Sequence, residues 1–338
     1  MTIFYHNNTS MKKVIFSILF GTVIVTVAIV WKASQLPFVD KDGVSTQTNS
    51  SKSNSQNITI LIGGDMMFDR YIRDLGNKKG YDSIFSGIVQ LFHSADIVVA
   101  NLEGPITSTS SRTLMPDGQT TKSFTFTFEP EVAGTLSRAG ITMVSMANNH
   151  TNNFGKEGLD QTHDWLEKAY VEWFGDPNNI SGTEKILCKN SICIAFVGYH
   201  EFHQGLPNIL MDVKRLSEQG YPVIVFAHWG DEYATTSPAR VKKEARQFVA
   251  AGATAIVGAH PHVVEDMEWV GEVPIIYSLG NLIFDQYFSD AVMTGNIAAL
   301  TISKTENVTH IDRVRIYTTS SASLKGPQLV GEPIEFKR

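Results

Sequence analysis

The chain has 338 residues, enough for one large α/β domain or two smaller ones, each with a sizeable core. Its 28 Lys and Arg against 34 Asp and Glu leave a net charge of −6, and no dense basic stripe occurs anywhere. That balance excludes a nucleic-acid footprint.

Residues 1–13 form a short tail that ends in Lys12 and Lys13. From Val14 to Trp31 follow 18 residues without a charge, long enough to span a bilayer, and Lys32 closes the run. The two leading lysines favour a cytoplasmic amino terminus, with the rest of the chain outside the cell membrane. A cleaved signal peptide competes with this reading, but Lys32 to Pro37 offers no small-x-small cleavage pattern, so a single-pass, uncleaved anchor is expected. Residues 32–57 are rich in Ser, Asn, Thr, Gln and Lys and read as a flexible tether. Residues 58–338 are then the extracytoplasmic domain.

In that domain, β-rich apolar runs end in polar clusters, again and again. Ile58 to Ile62 leads into Asp65, Ile97 to Ala100 into Asn101 and Glu103, and Ile141 to Ala147 into Asn148, Asn149 and His150. Val223 to Ala227 leads into His228, Thr254 to Ala259 into His260 and His262, and Ile275 to Leu279 into Asn281 and Asp285. Each candidate strand delivers carboxylate, carboxamide or imidazole groups at its carboxyl end, the edge where α/β sheets gather ligand sites. Helices are predicted over Glu129–Arg138, Lys156–Ala169 and Pro238–Ala251, the last two showing apolar periodicity or a glycine stop. Strand and helix in alternation give an α/β class.

Other stretches read as antiparallel pairs, so the sheets are expected to be mixed. Ile186–Cys188 and Cys193–Val197 form a predicted hairpin, and Gly295–Ser303 pairs with Val308–Thr318. The only two cysteines, Cys188 and Cys193, flank that hairpin's turn. In an oxidising exterior they are expected to form a disulfide, the alternative being two reduced thiols on adjacent strands. Gly63-Gly64 reads as a tight turn after the first strand. Without a Gly-Lys-Ser/Thr sequence it is not a nucleotide loop.

Asp65, Glu103, Asn149, His228, His260 and His262 supply oxygen and nitrogen donors, a set suited to Mn, Fe or Zn as ligands of a non-thiolate site. Six donors exceed one tetrahedral ion and suit up to two ions sharing a carboxylate. His150 follows Asn149 directly and is read as the catalytic residue, for phosphate contact or protonation of a leaving oxygen. His93, His163, His200, His203 and His310 lack a companion donor and read as surface or internally satisfied histidines. Met66, Met143 and Met146 read as core.

Taken in order, Gly64-Asp65-Met-Met67, Asn101-Leu-Glu103-Gly104-Pro105, Asn148-Asn149-His150, His228-Trp229-Gly230, Gly258-Ala-His260-Pro-His262 and Ser278-Leu-Gly280-Asn281 resemble the motifs of CapA-type poly-γ-glutamate capsule biosynthesis proteins, over roughly Asn57 to Ser303. That family is similar in turn to the calcineurin-like metallophosphoesterases. The resemblance implies a metallophosphoesterase-like α/β sandwich, two mixed sheets between helix layers, with a two-metal site. It implies that Asp65 and His262 hold a first ion, that Glu103 takes the bridging position, and that Asn149, His228 and His260 hold a second. Its partners would be poly-γ-glutamate or another anionic polymer and the membrane proteins of capsule synthesis.

Three residues depart from the pattern. Met67 stands where metallophosphoesterases usually carry a histidine, and a thioether is a poor ligand for a hard ion, so the first position is expected to be weak. Glu103 is longer than the usual bridging aspartate, and Asn153 replaces an aspartate common in CapA-type proteins. Two functions follow: an anchored exterior component of poly-γ-glutamate synthesis or export, or an envelope metal-dependent phosphoesterase acting on an ester unrelated to capsule.

Overall fold

The computed structural model describes residues 56–113, 123–305 and 308–338. The predicted anchor and nearly all of the tether lie outside those residues. Among the described residues no helix is long and apolar enough to cross a membrane. In chain order the elements are β1 (Gln56–Met66), α1 (Arg70–Lys79), a 3-10 turn (Tyr81–Phe85), α2 (Val89–His93), β2 (Ile97–Leu102), α3 (Glu131–Arg138), β3 (Met143–Ser145), α4 (Gly155–Lys168) and β4 (Glu172–Phe174). There follow β5 (Lys185–Lys189), β6 (Ile192–His200), α5 (Leu206–Glu218), β7 (Val223–His228), α6 (Ala239–Ala251) and β8 (Ala255–Ala259). The chain closes with β9 (Met267–Val270), β10 (Val273–Ile276), β11 (Asn281–Ile283), α7 (Asp290–Met293), β12 (Thr294–Thr305), β13 (Val308–Ser320) and β14 (Gln328–Glu335).

The period-2 alternation of side chains along a strand sorts these elements into layers. Ile58, Ile60 and Ile62 of β1 share one buried cluster with Ile224 and Phe226 of β7 and Val257 of β8, whereas Leu61 turns the other way. That first cluster is the seam between two sheets. One sheet has the order β14-β13-β12-β1-β2-β3-β4, with β11 also paired to β1, and the other runs β5-β6-β7-β8-β10-β9. On the far side of the first sheet, Leu61, Val98 and Val144 pack against Ile72 and Leu75 of α1, Val132 and Leu136 of α3, and Leu166 of α4. On the far side of the second, Val223, Val225 and Ile256 pack on Val213 and Leu216 of α5 and Ala245 and Phe248 of α6. Strands covered on both faces read in sequence as continuous apolar runs, which is why the central strands were visible there.

Both sheets are mixed, as expected. β1, β2, β3 and β4 run parallel, as do β6, β7, β8 and β10, whereas β12 and β13 join the first sheet and β5 and β9 the second in antiparallel fashion. The Cys188–Cys193 disulfide is formed, directly across the β5–β6 hairpin. Two expectations change. β1 begins at Gln56, inside the stretch read as tether, and it does not stop at Ile62 but continues through a register shift to Met66. Gly63-Gly64 is therefore no turn. A Cβ at Gly64 would lie 1.9 Å from the Gly280 carbonyl oxygen, so glycine is needed to let the β11 segment cross the strand closely. The irregularity falls next to Asp65, where a bulge re-aims a side chain toward a site.

Candidate metal centre

The carboxyl ends of β1, β2, β3, β7 and β8 converge, and with them the predicted donors. Asp65 leaves the end of β1, Glu103 follows β2, Asn149 and His150 lie on the loop after β3, His228 closes β7, and His260 and His262 follow β8. The two histidines after β8 have positive φ, 98° at His260 and 59° at His262. Such angles are costly for residues other than glycine and persist only where packing enforces them, a sign of a functional site. Pro261 between them restricts the turn further.

Two groups of donors form, and they touch. Ligand atoms of Asp65, Glu103 and His262 all lie within 4.8 Å of one another, and the three residues are buried. In the second group His228 Nε2 is 2.9 Å from Asn149 Oδ1 and 3.2 Å from His260 Nδ1. The carboxylate in contact with both groups is Asp65: Oδ1 is 3.7 Å from His228 Nδ1 and Oδ2 is 3.3 Å from His262 Nδ1. Glu103 instead faces His262 Nε2 at 3.7 Å and His150 Nε2 at 3.9 Å.

Residues not named as ligands hold the donors in place. Asn101 donates from Nδ2 to Asp65 Oδ1 at 2.8 Å, and the His260 amide donates to Asp65 Oδ2 at 3.0 Å. Asn281 Oδ1 is 3.0 Å from His262 Nδ1, an arrangement that fixes an imidazole's orientation. Asn148 donates to Asn101 Oδ1 and to the Leu102 carbonyl, and its own Oδ1 accepts from the His150 and Thr151 amides. The sequence motifs contained all three asparagines, but only pairing across the fold shows what they support. Met67 is buried in the apolar cluster behind β1, where its Sδ accepts from the Asp69 amide. Asp285 pairs with Arg70.

Electrostatics agree with a cation site. Burial opposes ionisation of Asp65, yet contacts with His262, the His260 amide and Asn101 outweigh it and hold the carboxyl below its ordinary value. Glu103 is the opposite case: burial, then the neighbouring Asp65 charge, push it well above the usual carboxylate range, and neither of its oxygens has a hydrogen-bond partner. A buried carboxylate in that state costs several kcal/mol unless a cation or proton joins it. Burial, and then the neighbouring histidines, depress His228 well below its ordinary value, His260 to about 3 and His150 to about 4. These imidazoles are neutral at pH 7, the form that ligates metal. The orphaned Glu103 oxygens, the Asp65 carboxylate and the neutral imidazoles fit a divalent cation, with oxygen and nitrogen donors and no thiolate.

A cavity of about 280 Å³ opens beside the donors, lined by Glu103, Asn149, His150 and His262 together with Arg70, Tyr233 and the rings of Phe124, Phe126 and Phe284. His150 lies on its wall, its ring 4.6 Å from that of Phe126 and its Nδ1 3.3 Å from Asn153 Nδ2. The histidines set aside in the sequence stay out of the two donor groups, although His200 is the strand neighbour of His228. His200 is buried with Nε2 2.7 Å from the Pro177 carbonyl, His163 stacks on Trp173, His310 pairs with Asp312, and His93 and His203 make backbone contacts at the surface.

Just beyond the histidine turn lies Glu265, which accepts from Ser237 Oγ at 2.7 Å while burial pushes its carboxyl up to about 7. The folded chain thus keeps a proton that the unfolded chain loses near pH 4.5, and stability falls as pH rises from there through 7. Glu265→Gln is expected to gain about 1–2 kcal/mol over the parent at pH 8, and nothing at pH 4, after allowance for solvent screening. Urea melts at both pH values measure this. An equal difference at the two pH values would exclude the linkage.

Residues 59–286 match the family described as bacterial capsule synthesis protein PGA_cap. The capsule biosynthesis protein CapA of Bacillus anthracis is 27% identical over 255 residues, covering 69% of this chain and 61% of that protein. The PGA biosynthesis protein CapA of Bacillus subtilis (strain 168) is 30% identical over 241 residues, covering 66% of this chain and 62% of that protein. The chain therefore spans about three fifths of the length of these relatives. Among solved structures, the calcineurin-like phosphoesterase YfkN from Bacillus subtilis aligns at 15% identity with a TM-score of 0.47, covering 81% of this chain and 93% of that one.

Proposed function

Because the chain belongs to the bacterial capsule synthesis protein PGA_cap family, we propose that it is a membrane-anchored, extracytoplasmic component of poly-γ-glutamate synthesis or export, working through a divalent-metal pocket. The single observation that carries the metal is Glu103, a fully buried carboxylate with two unpartnered oxygens facing Asp65 and His262. Asp65, Glu103 and His262 would hold one ion, and Asn149, His228 and His260 a second, with Asp65 in reach of both groups. Manganese, iron or zinc suits these donors. The anchor rests on the uncharged run Val14 to Trp31 behind Lys12 and Lys13, and residues 58–338 would form the exterior domain.

A divalent ion bound here supplies Lewis-acid polarisation of an anionic oxygen and hydroxide at neutral pH. The chain's own part is positioning. Asn101 and Asn281 fix Asp65 and His262, and the Phe124, Phe126 and Phe284 rings limit water on one wall of the cavity. His150, held at Nδ1 by Asn153, presents Nε2 toward the reacting side, where it is placed to pass a proton to a leaving oxygen. A second reading, an envelope phosphoesterase, is favoured by the same pairing of two carboxylates with neutral imidazoles.

The test is complementation. Deleting the gene should remove cell-bound poly-γ-glutamate, and a His260→Ala copy should leave it missing while accumulating to the parental level. Full restoration by that copy would remove the pocket from the function. Rapid turnover of phosphate esters by the purified protein, together with an intact capsule after deletion, would establish the second reading instead.

A further inference from the structure

Arg70 stands beside the donor groups and the metal reading gives it no role. It follows Asp69 at the start of α1, with φ at 52°, a conformation a long side chain adopts only under constraint. Asp285 binds the guanidinium at Nη2 and also accepts from the Tyr71 amide at 3.2 Å. The guanidinium carbon lies 5.1 Å from the Phe126 ring centre and 5.5 Å from that of Phe284, so two aromatic faces fix its plane. The side chain is only 13% exposed, and its Nε is buried without a hydrogen-bond partner. It lines the same cavity as Glu103, His150 and His262. A rigid fork of donors is thus braced by one carboxylate and two rings on the cavity wall, with donor capacity left over.

We propose that Arg70 forms an oxyanion-binding subsite next to the metal position, taking a carboxylate or phosphate group of the substrate. The inference rests on the metal-pocket reading for its place in the reaction, though not for anion binding itself. Bound divalent metal offsets Asp65 and Glu103, and Arg70 then adds a positive charge against which an anionic group can dock in bidentate fashion. The exposed Glu232 on the same cavity disfavours anions that enter without a cation present. Two ligand sources share this chemistry: the free α-carboxylates of an acidic γ-glutamyl chain, and a phosphate ester.

Calorimetry on the full chain, loaded with Mn²⁺ and separately stripped by chelator, tests the subsite with inorganic phosphate and with a γ-linked glutamate trimer as probes. Arg70→Ala should weaken binding of the preferred probe by about 10- to 100-fold, the range for a charge-assisted contact, with metal content unchanged. Arg70→Lys, which keeps the charge and loses the fork, should fall between, and it serves as the reading if the alanine variant does not fold. Tighter binding of the trimer identifies the acidic chain as source, and tighter binding of phosphate identifies the ester. Unchanged affinity for both probes in both variants overturns the subsite, as does a loss of anion binding that merely tracks a loss of metal. If the parent binds no Mn²⁺ but the stripped proteins still differ in anion affinity, the metal reading fails and the subsite stands.

Discussion

His262→Ala is expected to release metal from the Asp65–Glu103 position while the Asn149–His228–His260 position stays filled, and His228→Ala is expected to do the reverse. Each substitution removes one protein donor from a small set whose members touch directly. Groups that merely orient a ligand contribute 10–100-fold in affinity, so loss of a ligand itself should exceed about 100-fold. Elemental analysis of protein dialysed against a weak chelator would read the two variants as losing different ions. The Asp65–Glu103–His262 set carries two carboxylates and the other set none of its own, so the two should also differ in their dependence on pH, because Glu103 must shed a proton before it binds. Equal, full metal content in both variants and the parent would show that these side chains do not hold the ions.

The second large effect concerns turnover. If the pocket is hydrolytic, His150→Ala should lower kcat by about 10²- to 10⁴-fold and leave metal content near the parental level, since His150 faces Glu103 from across the cavity and is not within either donor group. His150 is neutral at pH 7, because burial first, and then its closeness to His262, hold it down to about 4. To protonate a leaving oxygen it must therefore first take up a proton as an anionic substrate arrives, and return to the neutral ring when it gives that proton away. A variant that loses turnover and metal together would mark His150 as part of the metal set, and undiminished turnover would remove it from the chemistry.

Much of this site could be read before any coordinates, and the reason is physical. The central strands are buried on both faces, so their apolar runs stand out, and each ends abruptly where a donor is needed. Asp65, Glu103, Asn149, His150, His228, His260 and His262 could each be placed at the carboxyl end of a strand on that ground alone. What escaped depends on partners far along the chain. Arg70 gains meaning only against Asp285 and Phe284, Asn101 only against Asp65, and Asn281 only against His262. Gly63-Gly64 looked like a turn because close backbone crossing and chain reversal both call for glycine. β14 escaped because it is an edge strand with most of its residues exposed, and its sequence lacks an apolar alternation. α1 and α5 were not predicted either. α1 buries just Ile72 and Leu75 among its aliphatic residues, too few for a clear helical stripe.

The place of β1 in its sheet bears on how the chain reaches this state. β1 comes first among the described strands, yet it lies in the interior of the sheet, and its antiparallel neighbour is β12, with Ile58 opposite Ile302. A growing or translocating chain can pair β1 with β2 early, but the other edge of β1 waits until almost the whole domain has emerged. Closure of so distant a contact is slow, and the waiting edge is open to pairing with other chains. Asp65 and His262 meet under the same constraint. Any metal held by that pair would therefore be captured late in the life of each molecule, and a chain halted before β12 is a candidate for aggregation and degradation rather than for partial service.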